Sequence, residues 1–247
     1  MTSQHVYDGK SKRVYVKSSE EIVMEFKDEV TAGDGAYKAL VPGKGVLCAL
    51  VSAHLFRVLE DSGISTHFVE YDGLRSITAK KLKMVPVEVI VRNYSYGSLR
   101  KRMPLYGELD PLVPPLVEFH YKDDSLHDPL ILPEDILRTN ILTSRELSRI
   151  IELSILVNHV LSKHFRSAGL KLVDIKLEYG FNSSGELLLA DEVSGDTFRV
   201  LDENGRHLDK EVFRKTKNTD LLLKAYQELA ARLGLRWEVV LSTKIFG

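Results

Sequence analysis

Pro104, Pro111, Pro114, Pro115, Pro129 and Pro133 are six of the eight prolines in this 247-residue chain. Each fixes φ and removes a backbone donor, so no long helix can run through 103–135. The stretch reads as an extended, ordered loop region, and long ordered loops in compact domains are often functional. The regular elements legible in the sequence fall on either side of it.

Upstream, 13–17 and 21–27 are short, alternating and rich in valine and aromatics, which suits strands. Positions 46–61 carry apolar residues at helical spacing, and Gly63 is a good stop. Positions 67–71 and 76–82 read as further strands of the same small sheet. In 85–91, Val85, Val87, Val89 and Val91 share one strand face, with Glu88 and Ile90 on the other. That strand leads into the polar loop Arg92-Asn93-Tyr94-Ser95-Tyr96-Gly97-Ser98.

Downstream, Thr143-Ser144-Arg145-Glu146 is a capping box. Leu147, Ile150, Ser154, Val157, Leu161 and Phe165 then follow at helical spacing up to Gly169. Positions 170–179 and 186–191 read as strands around the turn Asn182-Ser183-Ser184-Gly185, and 219–233 as a last helix ended by Gly234. Strands and helices do not alternate strictly, so the expected class is α+β rather than a doubly wound sheet. There is no internal repeat.

Hydrophobic residues make up 44% of the chain, enough for a real core. Lys plus Arg is 34 against 35 for Asp plus Glu, a net charge of −1. That balance argues against a nucleic-acid binder and against an acidic membrane surface as partner. The single cysteine, Cys48, excludes an intrachain disulfide and a cysteine zinc cage. Positions 1–17 lack an apolar signal core, and 46–53 falls far short of the roughly 18 residues of a membrane span. A cytoplasmic location is expected.

The common nucleotide fingerprints fail. Gly33-Asp34-Gly35-Ala36-Tyr37-Lys38 lacks a third glycine, and Gly43-Lys44-Gly45 has no hydroxyl after its lysine. The histidines are scattered, so a histidine metal site is not expected.

The hairpin near the end carries the clearest chemistry. Asp174, Lys176 and Glu178 are spaced by two and share a strand face. With Ser183-Ser184 as the turn, Lys176 faces Asp191 and Glu178 lies diagonal to it. Three carboxylates would converge beside one ammonium, which is repulsive unless a cation joins them. Oxygen ligands favour Mg2+. The alternative is a solvated strand face laced with ion pairs.

Gly9-Lys10-Ser11-Lys12-Arg13 could cover nucleotide phosphates with backbone N–H groups and ammonium heads, or could be an exposed hairpin. Arg92 and Ser98 flank a tight loop, with Arg100, Lys101 and Arg102 close behind; arginine suits bidentate contact with carboxylate or phosphate. A basic surface turn is the competing reading. Asp191-Glu192-Val193-Ser194-Gly195-Asp196-Thr197-Phe198-Arg199 reads either as an anion-and-metal site or as a polar turn. His127-Asp128-Pro129 by itself is a turn.

Taken in order, these segments resemble the SAICAR synthetase (phosphoribosylaminoimidazole-succinocarboxamide synthase) family. The matching pieces are Tyr7-Asp8-Gly9-Lys10-Ser11-Lys12, Thr31-Ala32-Gly33-Asp34-Gly35, Val85-Pro86-Val87-Glu88-Val89-Ile90-Val91-Arg92-Asn93, Gly97-Ser98-Leu99, His127-Asp128-Pro129, Val173-Asp174-Ile175-Lys176-Leu177-Glu178-Tyr179-Gly180 and 191–199. Each is weak alone; seven in order are specific. Mild departures are Thr31 for a commoner serine, Tyr179 for phenylalanine, and Gly195 for a proline common in bacterial members.

The resemblance implies a two-lobed α+β enzyme akin to ATP-grasp and kinase-like folds, with ATP between a small β-rich lobe, 1–84, and a larger lobe, 85–247. It implies a ligase that uses ATP to join L-aspartate to the carboxylate of an aminoimidazole ribonucleotide, giving SAICAR, ADP and phosphate. It further implies that Lys10 and Lys12 touch ATP phosphates from a flexible lid, and that the segment from Lys80 to Val85 forms the hinge, with Met84 and Val85 bordering the adenine. Glu178 and Asp191 would hold Mg2+. Arg92, Ser98 and Arg199 would bind the nucleotide, most simply its 5′-phosphate, with Asp196 also at the substrate site. Asp34 and Lys176 would lie near the reacting groups. His127 and Asp128 would help to place a substrate, and Asp174 would accept a proton from the attacking amine. A homo-oligomer, a dimer, is expected.

Two other readings fit the same residues. A small-molecule kinase on a related scaffold would need no amine, and no His-Arg-Asp loop or Asp-Phe-Gly motif supports a protein kinase. A non-catalytic nucleotide-binding module would bind ATP without turnover.

Overall fold

The structure, a computed structural model, describes residues 4–33 and 35–238. The expectation for Asp34 lies outside the described residues. The chain opens with β1 (Gln4–Asp8), β2 (Lys12–Val16) and β3 (Glu21–Phe26), then the small hairpin β4 (Glu29–Ala32) and β5 (Tyr37–Leu40). Helix α1 (Lys44–Asp61) precedes β6 (Phe68–Tyr71) and β7 (Ser76–Lys80). A five-stranded sheet results, ordered β1-β2-β3-β7-β6.

A second sheet begins at β8 (Lys83–Tyr94). Short helix α2 (Ser98–Arg102) leads to β9 (Pro111–Tyr121), β10 (Leu130–Ile131), α3 (Pro133–Arg138) and α4 (Ser144–Ser167). There follow β11 (Lys171–Phe181), β12 (Leu187–Ala190), β13 (Phe198–Leu201), α5 (Glu211–Thr216) and α6 (Thr219–Arg232). This sheet is ordered β10-β9-β8-β11-β12, with β13 also pairing β11. The mixture is α+β, as the lack of strict alternation predicts.

The periodicities materialise where burial drives them. Val85, Val87, Val89 and Val91 are all buried on one face of β8. In α4 the Thr143 hydroxyl accepts from Glu146 N, and the Glu146 carboxylate accepts from Thr143 N, closing the capping box. Leu147, Ile150, Ser154, Val157, Leu161 and Phe165 of α4 are all buried. Ser154, the polar member of that stripe, shares a 2.8 Å hydrogen bond with the Tyr179 hydroxyl. The tyrosine that departs from the family pattern thus has its partner built into the facing helix. Helix α1 packs on β3, β6 and β7 and also against α4 and α6, so one hydrophobic core runs between the two sheets.

Two expectations need correction. The proline-rich stretch is not all loop, because it contains the eleven-residue strand β9. β9 pairs along one side with β8, while β10 covers only His120 and Phe119 on the other. Pro111, Pro114 and Pro115 thus sit at the uncovered end, where a strand tolerates a missing donor. The second correction concerns register. Glu178 pairs with Ala190 and Phe181 with Leu187, one residue away from the expected pairing. Regular continuation would turn Asp191 to the opposite face from Lys176. Asp191 escapes by leaving the ladder, with a left-handed φ of 63°.

Candidate active site

Asp174 is the centre of the first cluster. It is the cross-strand partner of Arg92 on β8 and of Arg199 on β13. Its carboxylate accepts from Arg92 Nη1 at 2.9 Å and from Arg199 Nη1 at 2.8 Å. Arg92 also reaches Ser98 Oγ at 3.0 Å and Glu118 at 3.0 Å, and Glu118 takes Arg102 at 2.6 Å. Burial favours protonation of Glu118, but the His120 ring, with Nε2 3.6 Å away, and the two guanidiniums hold its pKa down at about 2. Arg199 also donates to Glu211 at 3.0 Å and lies over the Tyr96 ring. Gly97 makes room for it: a Cβ there would fall 2.9 Å from Arg199 Nη2.

A second cluster occupies the other end of the same strand face. Lys176 Nζ lies 2.6 Å from Glu88 Oε1 and 3.2 Å from Glu178 Oε1. Lys122 pairs with the other oxygen of Glu178. Burial works against the Lys176 charge, but Glu178, Glu88 and Asp191 together raise its pKa above the ordinary lysine value. The convergence of three carboxylates on Lys176 is therefore corrected: Glu88 takes the place given to Asp174. The reason is register, since Asp174 stands directly between Arg92 and Arg199.

Lys12 crosses from the first sheet to the loop after β12. Its ammonium lies 2.9 Å from Asp191 Oδ1 and 2.7 Å from Glu192 Oε1. Burial opposes the charge on both sides, yet the pairing raises the Lys12 pKa and lowers that of Asp191, where Lys176 and Lys122 also contribute. Ser11 and Ser194 hydroxyls donate to Glu192 as well. Farther along, Asp196 is clamped by Lys44 Nζ at 2.6 Å and the Tyr226 hydroxyl at 2.7 Å. A Cβ on Gly195 would meet the Tyr226 ring at 2.8 Å, so the residue that departs from the family's proline suits this packing.

The remaining expected residues lie at the edges. Lys10 contacts Asp124 at 2.6 Å on the surface. Lys80 is exposed, Met84 is 42% exposed, and Val85 is buried. His127 and Asp128 form a left-handed turn, with φ of 58° and 47°. The Asp128 carbonyl lies 2.9 Å from His120 Nδ1, which links that turn to Glu118. Sequence reasoning did not single out Glu118, Lys122, Glu192 or Lys44 as site residues. Glu118 carried a usable signal: a charge inside an apolar strand next to a strand bearing arginine. Lys122 and Lys44 carried none.

A family profile described as SAICAR synthetase matches residues 5–233. This chain belongs to that family. The phosphoribosylaminoimidazole-succinocarboxamide synthase of Caldivirga maquilingensis is 54% identical over 230 residues, covering 93% of this chain and 95% of the relative. A solved SAICAR synthetase in complex with ADP superposes with a TM-score of 0.88 at 42% identity, over 92% of this chain and 97% of that one. The synthase from Ehrlichia chaffeensis gives 0.89 at 36% identity, over 94% and 98%. The chain is accordingly an ATP-dependent carbon–nitrogen ligase of purine biosynthesis, which joins L-aspartate to the carboxylate of the aminoimidazole ribonucleotide. No described helix is long and apolar enough to cross a membrane.

Proposed function

We propose that the Lys12–Asp191–Glu192 and Lys176–Glu178–Glu88 groups form the ATP-phosphate side of this SAICAR synthetase's cleft, and that the Arg92–Asp174–Arg199 group forms its nucleotide side. The observation that carries this reading is the reach of Lys12 from the first sheet to carboxylates beyond β12. Sheet membership changes between Lys80 and Lys83, which supports lobes of 1–84 and 85–247. Met84 and Val85 stand at that change, where the adenine would lie, with Lys80 beside them. Lys10 and Lys12 would lie over the phosphates.

Glu178 and Asp191 fit Mg2+. Both offer hard oxygen donors, and both are matched by ammonium groups that a cation and phosphates could replace. Among the described residues no three such groups converge to hold an ion unaided. That suits Mg2+, which commonly takes one or two carboxylates and fills its shell with substrate phosphate and water. When bound, the ion would offset charge on the transferring phosphoryl group.

A carboxylate is a poor acyl donor, so its oxygen must first become a leaving group. ATP supplies the phosphoryl group, and the aspartate amine then displaces phosphate. Lys12 and Lys176 sit where negative charge would gather during both steps. On the nucleotide side, Arg92 is only 1% exposed, whereas Ser98 is exposed and the Arg199 side chain is 17% exposed. Ser98 and Arg199 would therefore touch the 5′-phosphate, with Arg92 orienting Ser98 from behind. Asp174, held by two guanidiniums, acts as the fixed anion that aims them; this replaces the proton-acceptor role expected for it. Asp196 would brace the loop carrying these groups. His127 and Asp128 would line the aspartate or nucleotide entrance.

The reading extends to a homodimer in the cytoplasm. Leu105 and Val113, each 90% exposed, support a self-association face. ADP release with each substrate and Mg2+ omitted in turn tests the assignment. Turnover should require all of them. ADP formed at full rate without aspartate would overturn the ligase reading.

A further inference from the structure

Outside both clusters, His54 of α1 and His164 of α4 bring their Nε2 atoms to 3.0 Å from each other. The ring centroids are 5.0 Å apart, with planes tilted by 46°. Nothing in the ligase chemistry uses this pair. It lies where the helix that packs on the first sheet meets the helix that packs on the second.

We propose that His54 and His164 form a two-imidazole site for a divalent transition-metal ion, Cu2+ first, which clamps α1 to α4. Three observations carry it. The two rings already bring the same nitrogen, Nε2, to 3.0 Å from each other, a spacing that one ion can bridge after a small tilt of the rings. An ion about 2.0–2.1 Å from each nitrogen, 3.0 Å apart, would subtend roughly 95°. That is narrower than a tetrahedral site offers and fits neighbouring positions of a tetragonal one, the preference of Cu2+. Both rings are only partly buried, so water can complete the coordination shell.

The protonation state is suitable. Burial, the facing ring and Arg57 bring the His54 pKa down to about 4, and burial lowers that of His164. Near neutral pH both imidazoles are therefore uncharged, and one N–H lies between them. On metal binding that proton moves from Nε2 to Nδ1 of its own ring. Both Nε2 lone pairs then face the ion, and no proton leaves the pair.

Titration of the full-length protein with Cu2+ at pH 7 tests the site, read by calorimetry and by EPR. The expected result is one tight equivalent whose spectrum reports two imidazole nitrogens, with a higher melting temperature in the presence of Cu2+. His54→Gln and His164→Gln should each remove that equivalent and the melting shift, while steady-state ligase turnover stays unchanged. The heat should not depend on the ionisation enthalpy of the buffer. Undiminished tight binding in both variants would overturn the proposal, as would a spectrum with a single imidazole or no tight equivalent in the parent protein. Circular dichroism of each variant shows whether it has folded; should either fail, the nitrogen count in the parent protein still decides.

Discussion

Lys12 Nζ lies 2.7 Å from Glu192 Oε1, a contact that spans 180 residues of chain. Both groups are almost shielded from water, and Asp191 shares the same ammonium. Removing one partner of such a group strands the others. Lys12→Met should cost about 3–5 kcal/mol of unfolding free energy. Urea denaturation would measure it, and adding Glu192→Gln to Lys12→Met should recover part of the loss. An unchanged midpoint would show that the pair contributes nothing to holding the sheets together.

Glu178→Gln and Asp191→Asn keep shape and remove charge. Each should lower kcat by about 10²-fold or more if these carboxylates hold the cation on the phosphates. Unfolding should stay cooperative, so calorimetry separates loss of chemistry from loss of fold. Near-normal turnover in both variants would remove the metal assignment.

Asp174→Asn separates anchoring from proton transfer. With the anion gone, Arg92 and Arg199 lose their shared partner and their aim. The KM for the imidazole nucleotide should rise at least tenfold, with a smaller fall in kcat at saturation. A fall confined to kcat, with KM unchanged, would return Asp174 to a role in the chemical step.

Acid should weaken the fold in two stages. Burial dominates at His67 and holds its pKa at about 4, against 6.5 when unfolded. Between those values the unfolded chain binds the extra proton, so stability falls as pH drops from 6.5 to 4. His67 alone should account for about 3 kcal/mol of that fall. Glu118, ordinarily at 4.5 and held at about 2, acts next. Its contribution is present above pH 4.5 and is lost as pH falls towards 2. Chemical denaturation across pH 7 to 2 would reveal both stages, and His67→Gln should shrink the first, leaving the part contributed by His54 and His164.

The hydroxyl pair between α4 and β11 gives a cleaner test of packing. Tyr179→Phe leaves Ser154 buried without its partner and should cost about 1 kcal/mol. The double change with Ser154→Ala should cost less than the two single changes added together. Strict additivity would mean that the hydroxyls do not support each other.

The fold was largely legible because strong periodicities coincide with burial. The valines of β8 and the capping box of α4 are local signals that tertiary packing reinforces. Strand β9 was hidden because its prolines argue against a strand until one knows which side of it is left unpaired. The Glu178–Asp191 relationship was found through a register that is off by one. A positive φ, invisible to alternation, brings Asp191 back within range of Lys176. Long-range partners such as Lys44 with Asp196 leave no local trace, because nothing near either residue signals the other.

Helix α1 has a consequence for any attempt to divide the protein. Twelve of its eighteen residues are buried, some against the first sheet and some against α4 and α6. A fragment ending near residue 84 would carry this helix away with one flank stripped of its cover. The remaining fragment would expose the surfaces of α4 and α6 that the helix had shielded. Neither piece is expected to be well behaved on its own, although the two sheets are separate in the sequence. Co-expressed halves should instead find each other, with α1 as the seam along which they rejoin.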